Sequence, residues 1–570
     1  MTDHATTAPP TRPAGVPDTT HPAIELSPRA RFEVLGAILL GLLLGALDQT
    51  VVGTALPRIV TDLHGNDLYT WVVTIYLLTS TITVPFYGKL SDLYGRKPFL
   101  LGGITIFLLG SALSGLSQEM WQLILFRGIQ GIGAGSLFPI SLAVIGDLFT
   151  PAERGKYQGL FGAVFGLSAL VGPALGGFLT DTLSWHWIFY INLPIGLLSL
   201  VVIARVLPTF HGKPGRLRDL DWAGAAVFAV GIALFLVGLT NKQTGDWTDV
   251  AVGGLVGAGL VILAVFLFIE TRATEPIIPL TLFRDRTYSG SIAATFLASF
   301  GFFSAVIFLP LYFQLVLGRS ATISGYEMFP LLIGVIGASI AAGQVVARTG
   351  RYKLLILGSM AVLALGSYLL TNLHADTDIW ALRAWMLVVG LGIGPTLAVF
   401  TIVVQNAVPF SKLGVATSSL TFFRQIGGSV GLAMVGSYFG SQLRTNIPTQ
   451  LSSAHLPAQI TQGFGNSNFD PNQLTAVGGN LGSQILADVP AQARAFVEPF
   501  IPQIVKAIFE AVSISIGQVF WFGVAASLLG LVAALAIKEL PLRATLRPAE
   551  TGKATEGEAR GATGIPIFGE

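Results

Sequence analysis

Fourteen stretches of this chain are apolar over roughly the twenty residues a bilayer requires, and short polar hinges join most of them. A segment of that kind enters hydrocarbon only as a helix, because every backbone N–H and C=O must then be bonded internally. The other solution, a closed barrel, needs sustained alternation of apolar and polar residues, which the sequence lacks. Composition agrees. The 570 residues are 52% hydrophobic and 11% charged, where a soluble domain is about a quarter charged. The predicted fold class is an all-α polytopic membrane protein.

The spans are predicted near 34–56, 69–88, 99–117, 120–144, 157–179, 187–206, 222–240, 250–269, 288–313, 326–347, 354–372, 382–404, 413–438 and 511–536. Charge asymmetry sets their direction, since positively charged loops stay in the cytoplasm. With the N-terminus inside, the inner loops collect Lys89, Arg96, Lys97, Arg154, Lys156, Lys213, Arg216, Arg218, Arg272, Arg284, Arg286, Arg348, Arg351, Lys353, Lys412 and Lys538, whereas the short outer loops hold little beyond Arg58, Lys242, Arg319 and Arg383. An even number of spans with both termini cytoplasmic follows. Residues 1–28, rich in Thr, Pro and Ala, read as a disordered tail without the apolar core of a signal peptide. The remaining expected units are a six-helix bundle over 29–206, linkers and two inserted helices over 207–286 that pack outside the bundles, a second six-helix bundle over 287–540, and a tail over 541–570. Residues 440–509 are too polar to span and too long for an ordinary connection, and read as an outer cap.

One hinge is unusually specific. Residues Gly88 to Lys97 read Gly-Lys-Leu-Ser-Asp-Leu-Tyr-Gly-Arg-Lys, with Gly88 and Gly95 placed for close approach and a tight turn and Asp92 as the sole acid. A second copy stands in the other half, where Gly343, Gly350 and Arg351 match Gly88, Gly95 and Arg96 at the same spacing and the acid is missing. A repeat of this kind in two membrane halves marks a secondary transporter.

Charged groups inside spans are costly, about 2.5–3.5 kcal/mol on insertion scales, and are functional candidates by default. Asp48 is one. It lies ~21 Å along the outward-running first span, while Arg127 lies ~10 Å along the inward-running fourth, at 1.5 Å per residue. Both then sit in the outer third of a ~30 Å core, and Gln130 is one turn from Arg127. A structural ion pair is the plainer reading of the two. In a proton-exchanging site Asp48 would be the titrating member, because an arginine keeps its proton. In the second half Arg424 stands about midway through the thirteenth span, where it needs a cavity or a carbonyl partner. Gln314, Gln405 and Gln425 add polar cavity lining, and Glu327 is either a substrate contact or an interfacial anchor. His64, His186 and His374 fall near outer loops.

The chain has no cysteine, which excludes disulfides and thiolate metal sites, and a net charge of +2 suggests no nucleic-acid partner. It contains no His-Glu-x-x-His, Gly-x-Ser-x-Gly or P-loop, so neither a membrane enzyme nor an ATP-driven pump is indicated, and no metal site is expected.

The fifth span carries Gly159, Gly162, Gly166, Gly172, Pro173, Gly176 and Gly177. Small residues let helices approach, and Gly-Pro favours a bend. The run Gly172-Pro173-Ala174-Leu175-Gly176-Gly177 resembles the antiporter motif of drug-exporting major facilitators, with Ser168 where that motif usually has another glycine. The Gly88–Lys97 loop resembles the signature loop between helices two and three of the same superfamily. Together with Asp48–Pro57, Arg127–Gly133, Trp185–Pro194, Leu309–Gln314 and Phe423–Gly428, these segments make residues 30–540 similar to the fourteen-helix drug:proton antiporters of the EmrB/QacA type, although Gly53 replaces the usual asparagine.

The resemblance implies a major facilitator fold of two six-helix bundles plus two inserted helices. It also implies proton-coupled export of amphipathic or cationic compounds by alternating access in a bacterial plasma membrane, driven by the proton gradient with no cofactor. A monomer is the simplest expectation. Under it, Asp48 and Arg127 couple the proton. Gln130, Gln314, Glu327, Gln405, Arg424 and Gln425 line the cavity. The loop closes the cytoplasmic side, with Asp92 set against the N-terminus of the thirteenth span near Gly414. The rival readings are an exporter dedicated to one metabolite or lipid on the same scaffold, and a sensor or scaffold that has lost transport.

Overall fold

The structure is a computed structural model of the whole chain, and it describes residues 27–63, 68–208, 221–242, 245–454, 456–457, 481–489 and 491–542. Among them there is no β-strand. The two expected tails lie almost wholly outside the described residues, as do His64, most of the 207–221 linker and much of the 455–490 segment.

Several helices start where a side chain satisfies free N–H groups of the first turn. The first helix, α1 (Pro28–Asp62), opens on Ser27, whose hydroxyl accepts from the Ala30 amide, with Pro28 at the first position. A glycine turn at Gly95 (φ +96°) separates α2 (Tyr69–Tyr94) from α3 (Arg96–Ser114). That backbone angle is open only to residues without a Cβ. After α4 (Met120–Leu148), α5 (Pro151–Thr182) opens on a reciprocal Thr150–Glu153 capping box. The predicted sixth span is broken into α6 (Trp187–Tyr190) and α7 (Asn192–Val206). Asp221, Asp285 and Asp378 cap α8 (Trp222–Asn241), α10 (Arg286–Leu315) and α14 (Ile379–Ala407). Between them lie α9 (Leu255–Glu270), α11 (Ala321–Glu327), α12 (Phe329–Thr349) and α13 (Lys353–Leu370), and a left-handed glycine, Gly350 at φ +68°, ends α12.

The long α15 (Leu413–Ser453) extends well past the span predicted at 413–438. The segment predicted to leave the membrane near residue 440 remains one helix for 41 residues, since its Ser, Thr and Gln side chains change the helix's surroundings without breaking it. On the other flank α18 (Ile501–Leu535) begins ten residues before the predicted span, with Ile504 and Ile508 buried. Among the described residues α16 (Leu481–Asp488), α17 (Ala491–Val497) and a 3-10 turn over Glu498–Phe500 lie between.

Twelve described helices are long and apolar enough to cross a membrane. They do not include α5 or α15, which pack in the same bundles: α5 lies on α1, and α15 on α10 and α18. In the first half α4 packs on α2 and α3, and α1 also packs on α7. In the second α14 packs on α12 and α13, and α18 on α10 and α13. The halves meet chiefly through two pairs, α2 with α15 and α5 with α12, and also through α4 with α15 and α5 with α14 and α11. The inserted α8–α9 hairpin covers the α2–α15 seam from outside. Phe228 of α8 meets Phe86 of α2 at 5.8 Å and Phe422 of α15 at 5.4 Å between ring centroids. Leu78, Val84, Ile232, Leu236, Phe266 and Ile426 complete an apolar cluster there.

Candidate functional site: a buried carboxylate and an inter-bundle lock

The buried site is built on helices whose N-termini lie at alternate faces, which is how residues 79 apart in sequence come to the same depth. Asp48 of α1 is 1% exposed and Arg127 of α4 is 1% exposed. Arg127 Nη1 donates to Asp48 Oδ2 at 2.6 Å and to Gln130 Oε1 at 2.8 Å, and Gln130 Nε2 returns a bond to Asp48 Oδ1 at 2.8 Å. The guanidinium also donates from Nε to the Val72 carbonyl at 3.3 Å and lies 4.2 Å above the Tyr76 ring. Pairing and hydrogen bonding offset part of the cost of burying both charges.

A third partner was not singled out in the sequence. Asn192, at the start of α7, donates from Nδ2 to Asp48 Oδ1 at 3.2 Å and to Ser111 Oγ at 3.0 Å, and Ser111 in turn donates to the Phe189 carbonyl at 2.9 Å. Asn192 stands just past Ile191, where the backbone stays in the right-handed helical region between α6 and α7. The available signal was an uncharged amide inside an apolar run, which weighs little beside an aspartate.

Helix α5 abuts this site through its glycines. A Cβ on Gly172 would collide with the Thr50 hydroxyl, and one on Gly176 with the Thr54 hydroxyl and the Val51 carbonyl. Thr50, half a turn beyond Asp48, also donates to the Ser168 carbonyl at 3.0 Å. Gly177 faces open space. Gly159 and Pro173 belong to α5, but their side-chain surroundings lie outside the described residues.

The second assembly lies at the face that carries the 88–97 loop. Asp92 accepts from the Gly414 amide through Oδ1 at 2.9 Å and from the Val415 amide through Oδ2 at 2.8 Å. A carboxylate of the first half thus sits at the N-terminus of α15 in the second, where helix polarity favours an anion. Arg96 holds Asp92 at 2.6 Å, Ser91 Oγ at 2.8 Å and Asp147 Oδ2 at 2.9 Å. Asp147, near the C-terminus of α4, was not foreseen. Gly88 and Gly414 face each other so closely that a Cβ on Gly88 would overlap Ser418, and one on Gly414 would overlap Arg96. Lys89 leaves the lock and reaches Glu275, beyond α9, at 2.6 Å. Lys97 is half-buried beside Arg96.

Gln405, expected to line a cavity, is bonded at this face in the present arrangement. Its Nε2 donates to the Leu142 carbonyl and to Thr417 Oγ1, both at 3.1 Å, and its Oε1 accepts from Arg154 at 3.4 Å. Arg154 further donates to the carbonyls of Phe149, at 2.8 Å, and Gly146. These bonds tie α4 and α5 to α14 and α15. Residues 413–422 of α15 are buried without exception, as are 139–146 of α4 and 398–406 of α14. The loop face is therefore closed.

The loop after α12 is different. Arg351 is exposed, the Tyr352 amide donates to Glu539 at 3.0 Å, and the Tyr352 hydroxyl donates to the Lys538 carbonyl at 2.9 Å. This loop closes on its own half, so the lock is one-sided. At the opposite face Glu327 is gripped by Arg383 through bonds of 3.1, 3.1 and 2.8 Å, an interfacial ion pair. Gln314 is half-buried near the end of α10, and Arg424 and Gln425 are half-buried in mid-α15.

Comparison with known proteins agrees with this architecture. The sequence model of the Major Facilitator Superfamily matches residues 38–432. "Multidrug transporter protein MdtP" of Bacillus subtilis is 40% identical over 437 residues, covering 75% of this chain and 79% of the relative. "Multidrug resistance protein 3" of the same organism is 40% identical over 421 residues, covering 74% and 80%. Among solved structures, the proton:xylose symporter XylE aligns with a TM-score of 0.52 at 17% identity, covering 85% of this chain and 98% of that one. Two helical bundles, a glycine-bounded loop locked across them and relatives of this closeness lead to one conclusion: the chain belongs to the major facilitator superfamily and is a multi-span membrane transporter, not an enzyme.

Proposed function

We propose that this transporter is a proton-coupled antiporter that exports amphipathic compounds, cationic ones included, by alternating access across a bacterial plasma membrane, with both termini in the cytoplasm. The observation that carries the reading is the Asp48 cluster: a carboxylate 1% exposed, facing Arg127, Gln130 and Asn192. Protonation of Asp48 removes the negative partner of a buried guanidinium. Arg127 must then find other acceptors, and a buried unpaired charge is strongly destabilising. The helix that feels the change is α1, and its nearest neighbour is the glycine face of α5, packed on Thr50 and Thr54. Altered geometry at Asp48 therefore bears directly on α1–α5 packing, and α5 also contacts α12 in the other half.

The loop face is the cytoplasmic face in this reading, and the arrangement with Asp92 on α15 is the outward-facing state. Substrate release and proton entry from outside belong to that state, and opening the lock returns the cavity inward. Multidrug names among the relatives support loose specificity.

A susceptibility panel in an efflux-deficient bacterial host tests the export reading. Expression of the wild type should raise tolerance to several amphipathic toxicants of unrelated scaffold. Protection against one compound alone would favour a dedicated exporter, and protection against none would remove the export reading.

A further inference from the structure

Arg424 stands out among the membrane-embedded charges because no acid among the described residues is paired with it. It lies ten residues beyond Gly414 on α15, hence ~15 Å from the lock at 1.5 Å per residue, near the middle of a ~30 Å core. Over residues 287–540 the sequence has eight acids, Glu327, Asp376, Asp378, Asp470, Asp488, Glu498, Glu510 and Glu539. Glu510 is bonded to His374 and the Ala375 amide, Glu539 accepts from the Tyr352 amide, Glu498 is exposed, and Asp470 and the Asp488 side chain lie outside the described residues. Glu327 is held by Arg383, and Asp378 caps α14 from its first turn. Asp376 lies in the turn before that cap, at the face opposite the lock. In the first half Asp48 is engaged by Arg127, and Asp92 and Asp147 by Arg96.

Among the described residues no hydrogen bond or ion pair reaches the Arg424 guanidinium, and its Nη2 is buried without an acceptor. The adjacent Gln425 also has a buried Oε1 without a donor. A buried guanidinium lacking an acceptor is expensive, and an arginine cannot escape by losing its proton.

The surroundings suit the other end of an amphipath. Exposure on α15 begins at 423–425, after the fully buried stretch of the closed face. One turn further, Gly427, Gly428 and Gly431 lie flat against Phe296, Phe303 and Phe300 of α10, and Phe423 meets Phe283 edge-on at 5.9 Å.

We infer that Arg424 is a recognition site for the anionic group of an amphipathic substrate, a carboxylate, sulfonate or phosphate carried on an aromatic or aliphatic body. The inference deepens the export reading and rests on it only for the direction of transport. It also divides the labour between the halves. Asp48 and Arg127 form a self-neutralised pair available to protons, and Arg424 supplies an uncompensated charge to cargo. A planar guanidinium takes such oxyanions through two parallel bonds, whereas a lysine ammonium provides the charge without the fork.

The test is a binding comparison on the full chain in zwitterionic nanodiscs, with empty nanodiscs subtracted. The probes are 8-anilinonaphthalene-1-sulfonate and N-phenyl-1-naphthylamine, which share an aromatic body and differ by the sulfonate. Wild type should bind the sulfonate at least tenfold more tightly than the neutral amine. Arg424→Gln should lose that preference with neutral-probe affinity unchanged, and Arg424→Lys should keep part of it. A wild type without preference for the sulfonate overturns the proposal, and this arm needs no variant to fold. An undiminished preference in Arg424→Gln that still binds the neutral probe overturns it as well. Absence of transport with the binding pattern intact would instead count against the export reading and leave the anion site standing.

Discussion

Replacing Asp92 by asparagine keeps the shape of the lock and removes its charge. In the closed face Asp92 Oδ1 is shared by the Gly414 amide at 2.9 Å and Arg96 at 2.6 Å, and Oδ2 takes the Val415 amide at 2.8 Å. Whichever oxygen becomes an NH2 group then points at a donor, so at least one amide at the start of α15 loses its acceptor. Hydrogen bonds to charged groups contribute roughly 1.5–3 kcal/mol, and a carboxylate at a partly buried helix N-terminus gains up to ~2 kcal/mol. A net loss of about 2–3 kcal/mol from the closed face is expected, since Arg96 keeps Asp147 and stays paired. That shifts a two-state population roughly 30- to 150-fold towards the opened loop face. The chain has no cysteine, so a spin-label pair at the exposed positions Pro98 and Ser411, one on each side of the lock, needs no background mutation. Pulsed dipolar spectroscopy should show a single short distance in the wild-type background and a dominant longer one in Asp92→Asn. Identical distance distributions in the two proteins would refute the lock and leave the loop a basic turn.

The same geometry sets other expectations. Gly414→Val places a side chain against Arg96 and the Gly88 carbonyl and should hold the loop face open, read as faster labelling of a cysteine at Ser418. Gly95→Ala forces a Cβ into φ +96° and should lower stability by about 1–3 kcal/mol in thermal or denaturant melts of the purified protein. Asn192→Leu removes one of three donors to Asp48 and should reduce transport roughly tenfold or more with near-normal expression, measured as initial efflux rate. Glu327→Gln breaks the grip of Arg383 and should lower the melting temperature while sparing transport, because that pair lies at the opposite face from the lock. Cysteines introduced on α8 and α9 should label at rates insensitive to substrate, as the hairpin covers the α2–α15 seam from outside.

Much of this arrangement is legible in the sequence because membrane helices impose direction and depth. Alternating spans and a fixed rise per residue place Asp48 and Arg127 at one level, and the same alternation brings the N-terminus of α15 to the side of Asp92. The partners that escaped notice are those for which depth alone is insufficient. Asn192 reaches Asp48 from the seventh helix, and an uncharged amide in an apolar span gives no signal of which neighbour it faces. Asp147 reads as an ordinary acid at a helix end until Arg96 is seen to bridge it to Asp92. Gln405 raises a related ambiguity. A glutamine inside an apolar helix needs polar partners, and a cavity or a neighbouring helix supplies them equally well on paper. Only the approach of Arg154, 251 residues away, decides between them. Helix ends were the least legible, as the extra length of α15 shows, since a polar face and the end of a helix are different events.

The central claim is that proton movement at Asp48 drives export, and its most direct test is uptake by everted membrane vesicles under an imposed pH gradient, acid inside. Ethidium and 8-anilinonaphthalene-1-sulfonate serve as probes of opposite charge, and wild type is compared with Asp48→Asn at matched protein levels. The expected result is gradient-dependent accumulation of at least one dye by wild type, abolished in Asp48→Asn although the variant still binds that dye. Wild-type rates of gradient-driven accumulation in Asp48→Asn would contradict the account.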